Sequence, residues 1–359
     1  MESPVTKEDV LKSLSSVQDP DLRKDLVTLG MIKNLEIKDN LVSFEIQLTT
    51  PACPLKNKIE QDARQAVLKV GGVKQVDIKM GASVPSDGRT RGILQMPVRH
   101  AVAIASGKGG VGKSTVAVNI AVSLAKSGAS VGLMDADIYG PNIPTMMGVN
   151  QLPSPVNSKL IPAEAYGVKM MSIGFMVNPG QSLIWRGPML HSAIRQFLGD
   201  VEWGELDYLI IDLPPGTGDA QLSLAQSIPL SGGVIVTLPQ QVSVEDAARG
   251  LHMFRETNVP LLGIIENMSY LDLPDGTRME VFGNGGGEAL SANTGIPLLG
   301  KIPMDPSVRK GGDEGIPIVI SNPESASAIA LRGIAEQIAA KLSMAALLEN
   351  TNVKINMIG

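Results

Sequence analysis

The 359-residue chain is 43% hydrophobic, 19% charged and 3% aromatic, the profile of an ordinary soluble polypeptide long enough for more than one core. Its 31 Lys and Arg against 36 Asp and Glu leave a net charge of −5, so the basic excess that holds nucleic-acid phosphates is missing and no nucleic-acid partner is expected. A single cysteine, Cys53, excludes an internal disulfide; no apolar stretch is long enough to cross a bilayer, and no basic segment followed by an apolar run opens the chain, so a cytoplasmic protein with no membrane partner is expected.

In chain order, residues 6–18 read as a helix, with Thr6 as cap, Asp9 three positions on, and Val10, Leu11, Leu14 and Val17 on one face. Asp19-Pro20 ends it. The alternating segment 42–48, a helix over about 54–70 and a short strand at 76–78 complete a small α+β domain, residues 1–80. Residues 81–97, rich in Pro, Ser, Gly and Arg without a period, read as a linker. Short apolar runs then alternate with helical stretches: 101–105, 131–134, 168–173, 208–211, 233–238 and 261–265. Runs apolar on both faces suit parallel strands covered by helices, which predicts an α/β domain over 98–347 with a mostly parallel sheet. Its last helix spans about 323–347, with Ile329, Leu331, Ile334, Ile338 and Leu342 at helical spacing, and 348–359 is a tail.

The sharpest signal is Gly107-Lys108-Gly109-Gly110-Val111-Gly112-Lys113-Ser114, followed by Thr115, which satisfies the eight-residue phosphate-loop pattern. Its context fits, because an expected strand feeds the loop and a helix bearing Val116, Ile120 and Leu124 leaves it. Glycines let successive backbone N–H groups turn onto phosphate oxygens without Cβ clashes, and the helix N-terminus adds positive potential. The expected ligands are ATP and Mg2+, with Lys113 on the outer phosphates and the Ser114 hydroxyl on the metal. Asp135 and Asp137 follow the second strand of this domain, where open α/β sheets bind ligands; elsewhere such an Asp-x-Asp is more often a turn or a cap. The apolar strand ending at Asp212 supplies a second metal carboxylate, and Gly216-Thr217-Gly218 after it suits either a segment that moves with the γ-phosphate or a rigid Pro-Pro turn.

The run Lys108-Gly109-Gly110-Val111-Gly112-Lys113-Ser114-Thr115 resembles the deviant Walker A family, which includes partition ATPases, division-site ATPases and nitrogenase iron protein. The resemblance implies a homodimer in which Lys108 reaches the partner subunit's phosphates, as an arginine finger does in trans. It further implies that Asp137 polarises the attacking water, that Asp135 sits nearer the magnesium, and that Asn267 reads the adenine through its amide.

Within that family, Asp135-Ala136-Asp137-Ile138-Tyr139-Gly140-Pro141-Asn142, Trp185-Arg186-Gly187-Pro188-Met189, Asp212 to Asp219, Glu266-Asn267-Met268-Ser269-Tyr270 and Phe282-Gly283-Asn284-Gly285-Gly286-Gly287 look like the Mrp/ApbC subgroup. Asp19-Pro20-Asp21, Leu29-Gly30 and Thr49-Thr50-Pro51-Ala52-Cys53-Pro54-Leu55 resemble the small iron–sulfur maturation domain fused to many of its members. The implied function is an ATP-hydrolysing iron–sulfur cluster carrier or assembly factor, with client apoproteins or scaffold proteins as partners. One departure stands out. Where the subgroup carries Cys-Pro-x-Cys, this chain has Leu273-Pro274-Asp275-Gly276, which cannot ligate iron, so Cys53 is the one thiol open to a cluster. A lone cysteine is equally a small buried hydrophobe, and loss of the pair leaves a second reading: a nucleotide-switched scaffold or positioning ATPase carrying no cluster. His100, His191 and His252 lack ligand spacing, and no zinc site is expected.

Overall fold

The structure is a computed structural model that describes residues 5–20, 22–88, 97–138, 140–157, 159–176, 187–216, 218, 221, 222, 225 and 228–355, with the backbone alone at 187–191 and 349–355. Asp21, Tyr139, Trp185, Arg186, Thr217, Asp219, residues 89–96 of the expected linker and the last four residues therefore lie outside the described residues. The chain divides into two compact units: Met1–Pro85 together with Ala339–Gly359, and Ser86–Ile338.

In the smaller unit, α1 (Lys7–Leu14) opens with a reciprocal cap: Asp9 N–H donates to Thr6 Oγ1 at 3.2 Å and the Asp9 carboxylate accepts from the Thr6 N–H at 3.3 Å. Strands β1 (Ile32–Lys38), β2 (Leu41–Leu48) and β3 (Gln75–Ala82) form one sheet in that order, β1 antiparallel and β3 parallel to the central β2. The β2–β3 crossover carries α2 (Lys56–Leu68), as a parallel connection requires. Alternation along β2 turns Val42, Phe44, Ile46 and Leu48 inward against Val10, Leu14, Ile59, Ala63 and Val67. Strand β1 carries no legible alternation, because its register breaks between Lys33 and Glu36 and Asn34 takes a left-handed backbone conformation, φ 52°.

The larger unit is built on an eight-stranded sheet. In chain order its strands are β4 (Val98–Ser106), β5 (Val131–Asp135), β6 (Ala163–Ala165), β7 (Val168–Ser172), β8 (Leu206–Asp212), β9 (Gly232–Thr237), β10 (Leu261–Glu266) and β11 (Leu298–Lys301). They lie side by side as β11-β10-β9-β4-β8-β5-β7-β6, parallel throughout except for the edge strand β6. The fold is thus α/β with a mostly parallel sheet covered by helices, as the apolar runs predict. Helices α3 (Lys113–Lys126) and α4 (Gly187–Gly199) belong to the first half of this unit, α5 (Gln241–Glu256), α6 (Gly286–Thr294) and α7 (Pro306–Glu314) to the second. Strands β6 and β11 have no counterpart among the expected runs: one is three residues long, and the other breaks its apolar pattern with Gly300 and Lys301.

The last helix, α8 (Ala326–Ile355), runs past its expected end at 347. From Ala339 onward it belongs to the smaller unit, where Ser343 Oγ donates to the Thr49 carbonyl at 3.1 Å and Leu342 and Ala346 are buried. The division between the compact units thus falls at 338/339, inside this helix, where the sequence pattern ends the larger domain at 347. No helix among the described residues is long and apolar enough to cross a membrane.

Trp203, 2% exposed, packs in the core on one face of the large sheet, its indole N–H donating to the Phe197 carbonyl at 2.8 Å. Replacing Trp203 with Ala should cost about 3–5 kcal/mol. The denaturant midpoint measures it, and the unfolding slope should stay unchanged.

Candidate nucleotide site

Strand β4 ends at Ser106 in the middle of the sheet, between β8 and β9, and the phosphate loop leaves from its carboxyl end. Parallel registry sets its neighbours beside it: Asp212 ends β8 and Asp135 ends β5, paired residue for residue. The loop is wedged from behind. A Cβ on Gly107 would lie 2.1 Å from the Asp246 carbonyl carbon of α5, and only glycine permits that approach. Gly112 has φ +83°, and a Cβ there would lie 2.2 Å from Asn267 Nδ2. Asn267, buried at the end of β10, donates that amide to the Val111 carbonyl at 2.8 Å, so it braces the loop from the opposite strand. The next residue, Met268, holds φ 52°, a conformation that a non-glycine side chain rarely adopts and that the surrounding packing maintains.

Charge is concentrated at the start of α3. Lys113 is 5% exposed, and its ammonium lies 2.7 Å from Asp212 Oδ1 and 3.4 Å from Asp137 Oδ2. Ser114 Oγ donates to Asp212 Oδ2 at 2.5 Å. Burial pushes the Asp212 carboxyl above the ordinary range, and the Lys113 charge beside it pulls the other way. Asp135 is pushed up to about 8, first by complete burial and then by repulsion from Asp212. Both of its oxygens are engaged by protein donors, Ser172 Oγ at 2.7 Å and the Asp137 N–H at 3.1 Å.

Two cavities meet here. One, of about 310 Å3, is lined by Lys108, Gly109, Gly110, Lys113, Ser114 and Asp137. The other, of about 720 Å3, is mostly apolar and includes Val116, Asn267, Met268, Ile302, Pro303 and Met304. Gly112, Thr115, Asn142 and Met146 line both, giving a polar cradle continuous with an apolar slot. The Pro214-Pro215 segment closes the cradle: Gly216 N–H donates to the Ser106 carbonyl at 3.0 Å, and Pro215 comes within 3.9 Å of a Cβ built on Gly109.

The structure thus brings together Gly107 to Thr115, Asp137, Asp212 and Asn267, with Asp135 one hydrogen bond behind Asp137. Cys53 belongs to the smaller unit, half-buried in the loop before α2 and packed against that unit's core. Leu273-Pro274-Asp275-Gly276 forms the tip of a short hairpin in which Gly276 N–H donates to the Leu273 carbonyl at 2.9 Å and Arg278 pairs with Asp272 at 3.0 Å. The glycine run after it is held by Glu266, whose carboxylate accepts the Gly287 N–H at 2.6 Å and the Ser269 hydroxyl at 2.8 Å. Among the described residues no group of three or more His, Cys, Asp or Glu side chains is placed to hold a metal. Ser172 has no signal in the sequence beyond its place at the carboxyl end of a parallel strand, and Glu266 is marked there only as the first residue of the Glu266–Tyr270 motif.

Removing the Lys113 ammonium leaves Asp212 buried without its counter-charge, which costs about 3–5 kcal/mol for pairs of this kind. Lys113→Ala should lose that much stability at pH 7, read from urea unfolding. Because the folded state then holds Asp212 with a raised pKa, the deficit should shrink as the pH falls and the carboxyl takes up a proton.

Comparison with known proteins places the chain. Residues 97–339 match the family model described as NUBPL iron-transfer P-loop NTPase, and residues 7–79 match that of an iron–sulfur cluster assembly protein. An iron–sulfur cluster carrier protein of Synechocystis sp. is 54% identical over 356 residues, 96% of this chain and 99% of that one. Its counterpart from Deinococcus radiodurans is 52% identical over 344 residues, covering 95% and 97%. Among solved structures, the nucleotide-binding protein of Archaeoglobus fulgidus in complex with ADP is 40% identical, covers 61% of this chain and 87% of its own, and superposes with a TM-score of 0.55. The cell division ATPase MinD of Pyrococcus furiosus is 26% identical over 67% of this chain and 98% of its own, with a TM-score of 0.54. With the phosphate loop, its flanking carboxylates and the fused small domain all accounted for, this chain belongs to the family of iron-transfer P-loop NTPases, the iron–sulfur cluster carrier proteins.

Proposed function

We propose that the protein binds and hydrolyses ATP as a homodimer in the cytoplasm, and that nucleotide turnover drives handover of an iron–sulfur cluster to client apoproteins or from scaffold proteins. The observation that carries this reading is the convergence of Lys113, Ser114, Asp212 and Asp137 on one cradle beside the phosphate loop. The Ser114 hydroxyl and Asp212 carboxylate are hard oxygen donors on the same point of the cradle, and they suit magnesium. When bound, the ion supplies charge neutralisation on the outer phosphates. Asp135 accepts one hydrogen bond on each oxygen, from Ser172 and from the Asp137 N–H, which leaves a lone pair on each and keeps its expected place near the magnesium.

Each remaining group has a task in the chain's own chemistry. The backbone N–H groups of Gly109 to Thr115 wrap the phosphates, and Lys113 shares its charge between the aspartates and the outer phosphate oxygens. Asp137 holds the attacking water and takes up its proton. Lys108, half-buried on the cradle wall, is the group a second subunit would use across the dimer. The adenine lies in the apolar slot against Met268 and Ile302, beside the Asn267 amide. Cys53, one per subunit, offers two thiolates in a dimer, and the remaining ligands to a cluster come from a client or a small thiol.

Turnover tests the ATPase half. Asp137→Asn should lower kcat by roughly 10² or more while leaving ADP affinity within twofold. Lys108→Ala should fall by ~10³ and lose its dependence on protein concentration; full turnover in a monomeric Lys108→Ala would remove the cross-dimer role. The carrier half is tested by anaerobic reconstitution with iron and sulfide. Sulfur-to-iron charge-transfer absorption is expected in the wild type and absent in Cys53→Ser. Equal iron in both would refute Cys53 as a ligand, and colourless wild-type protein with ATP-dependent partner association would favour the scaffold reading, to which the Leu273–Gly276 substitution points.

A further inference from the structure

One group at the site has no part in the chemistry above. Ser172 is fully buried at the carboxyl end of β7, directly opposite Asp135 in the β5–β7 register. Its hydroxyl oxygen accepts the Gly174 N–H at 2.9 Å, which leaves its single hydrogen for Asp135 Oδ2, 2.7 Å away. The other Asp135 oxygen accepts the Asp137 N–H at 3.1 Å. A chain of hydrogen bonds therefore runs from the backbone of Gly174 through two buried side chains to the backbone of Asp137.

The same short segment also supports the far end of the Asp137 loop. A Cβ on Gly174 would lie 3.1 Å from Pro141 Cβ, so the two residues are in close contact, and Gly140 N–H donates to Asp137 Oδ1 at 3.3 Å. Residues 172–174 thus reach Asp137 through Asp135 and touch Pro141 directly, without lining the cradle. Proton abstraction is sensitive to such placement: a shift of about 1 Å in a catalytic group costs roughly 10²-fold in rate.

We propose that Ser172 is a positioning residue for ATP hydrolysis: through Asp135 and Gly174 it fixes the loop that aims Asp137 at the attacking water. This rests on the reading of Asp137 given above. The side chain lies outside the phosphate and base slots, so its loss acts on the chemical step and spares binding.

The test is steady-state turnover with ADP binding measured in parallel. Ser172→Ala should lower kcat by about 10- to 100-fold while KM for ATP and the ADP dissociation constant stay within twofold. In an Asp137→Asn background the same change should bring no further loss, because the group being aimed is already gone. A role limited to folding predicts the opposite: weaker ADP binding in step with kcat, and multiplied losses in the double variant. Either result, or a kcat for Ser172→Ala within twofold of wild type, overturns the proposal. Should Ser172→Ala fail to fold, Gly174→Ala supplies the same criterion, since it keeps the serine while its methyl, 3.1 Å from both Ser172 Oγ and Pro141 Cβ, disturbs the same support. Wild-type protein without turnover, or Asp137→Asn with full turnover, would instead overturn the hydrolysis reading itself, a failure separable from that of Ser172.

Discussion

The ammonium of Lys113, buried between Asp212 and Asp137, is the interaction around which the larger unit is arranged. Three charged groups removed from water are tolerable only where each meets the others at short range, and the parallel sheet supplies that range. β4, β8 and β5 lie side by side in register, so the residues that end them, and the helix that starts one loop later, come together at one edge. Chemistry that needs phosphate neutralisation and a nearby base then falls at the switch point of the sheet, where α/β folds of this kind place ligands.

The loop that presents Lys113 is held rather than merely flexible. Its glycines are required by close approaches from two directions, the α5 backbone at Gly107 and the Asn267 amide at Gly112. Asn267 joins the loop to the end of β10, and Glu266 beside it joins the same strand end to the glycine run at the start of α6. One dipeptide therefore couples the phosphate loop to the segment that follows the hairpin at 271–279. That hairpin carries no thiol, and an Asp272–Arg278 pair with the Arg278 guanidinium 3.5 Å above the Tyr270 ring holds its shape instead. With Leu273 and Gly276 at its tip the hairpin offers no thiolate, and the single cysteine of the chain, Cys53, lies in the smaller unit.

Much of this was legible before any coordinates. The phosphate loop announces itself because its requirements are local: small residues at fixed spacing, then a lysine and a hydroxyl opening a helix. The inner strands were readable from their two-sided apolar runs, and α1 from the Thr6–Asp9 pair that closes its cap. The misses share a cause. β1, β6 and β11 are short or irregular, so neighbouring strands define them and their own pattern does not. Ser172 is an ordinary residue type whose importance lies wholly in what the register sets opposite it.

The chain by itself determined an α/β phosphate-loop domain following a small α+β domain, because backbone freedom and periodicity are properties of neighbours in sequence, and it pointed to Lys113, Ser114, Asp135, Asp137 and Asp212 as candidate groups of the site, the role of Asp137 through family resemblance. Tertiary structure alone decided that Asp135 turns to Ser172 and Asp137, that Asn267 braces the loop at Val111, and that the last helix passes into the smaller unit beyond Ile338. Those choices depend on strand order and registry between segments tens to hundreds of residues apart, and a hydrogen bond reads distance in space, to which spacing along the chain gives no guide.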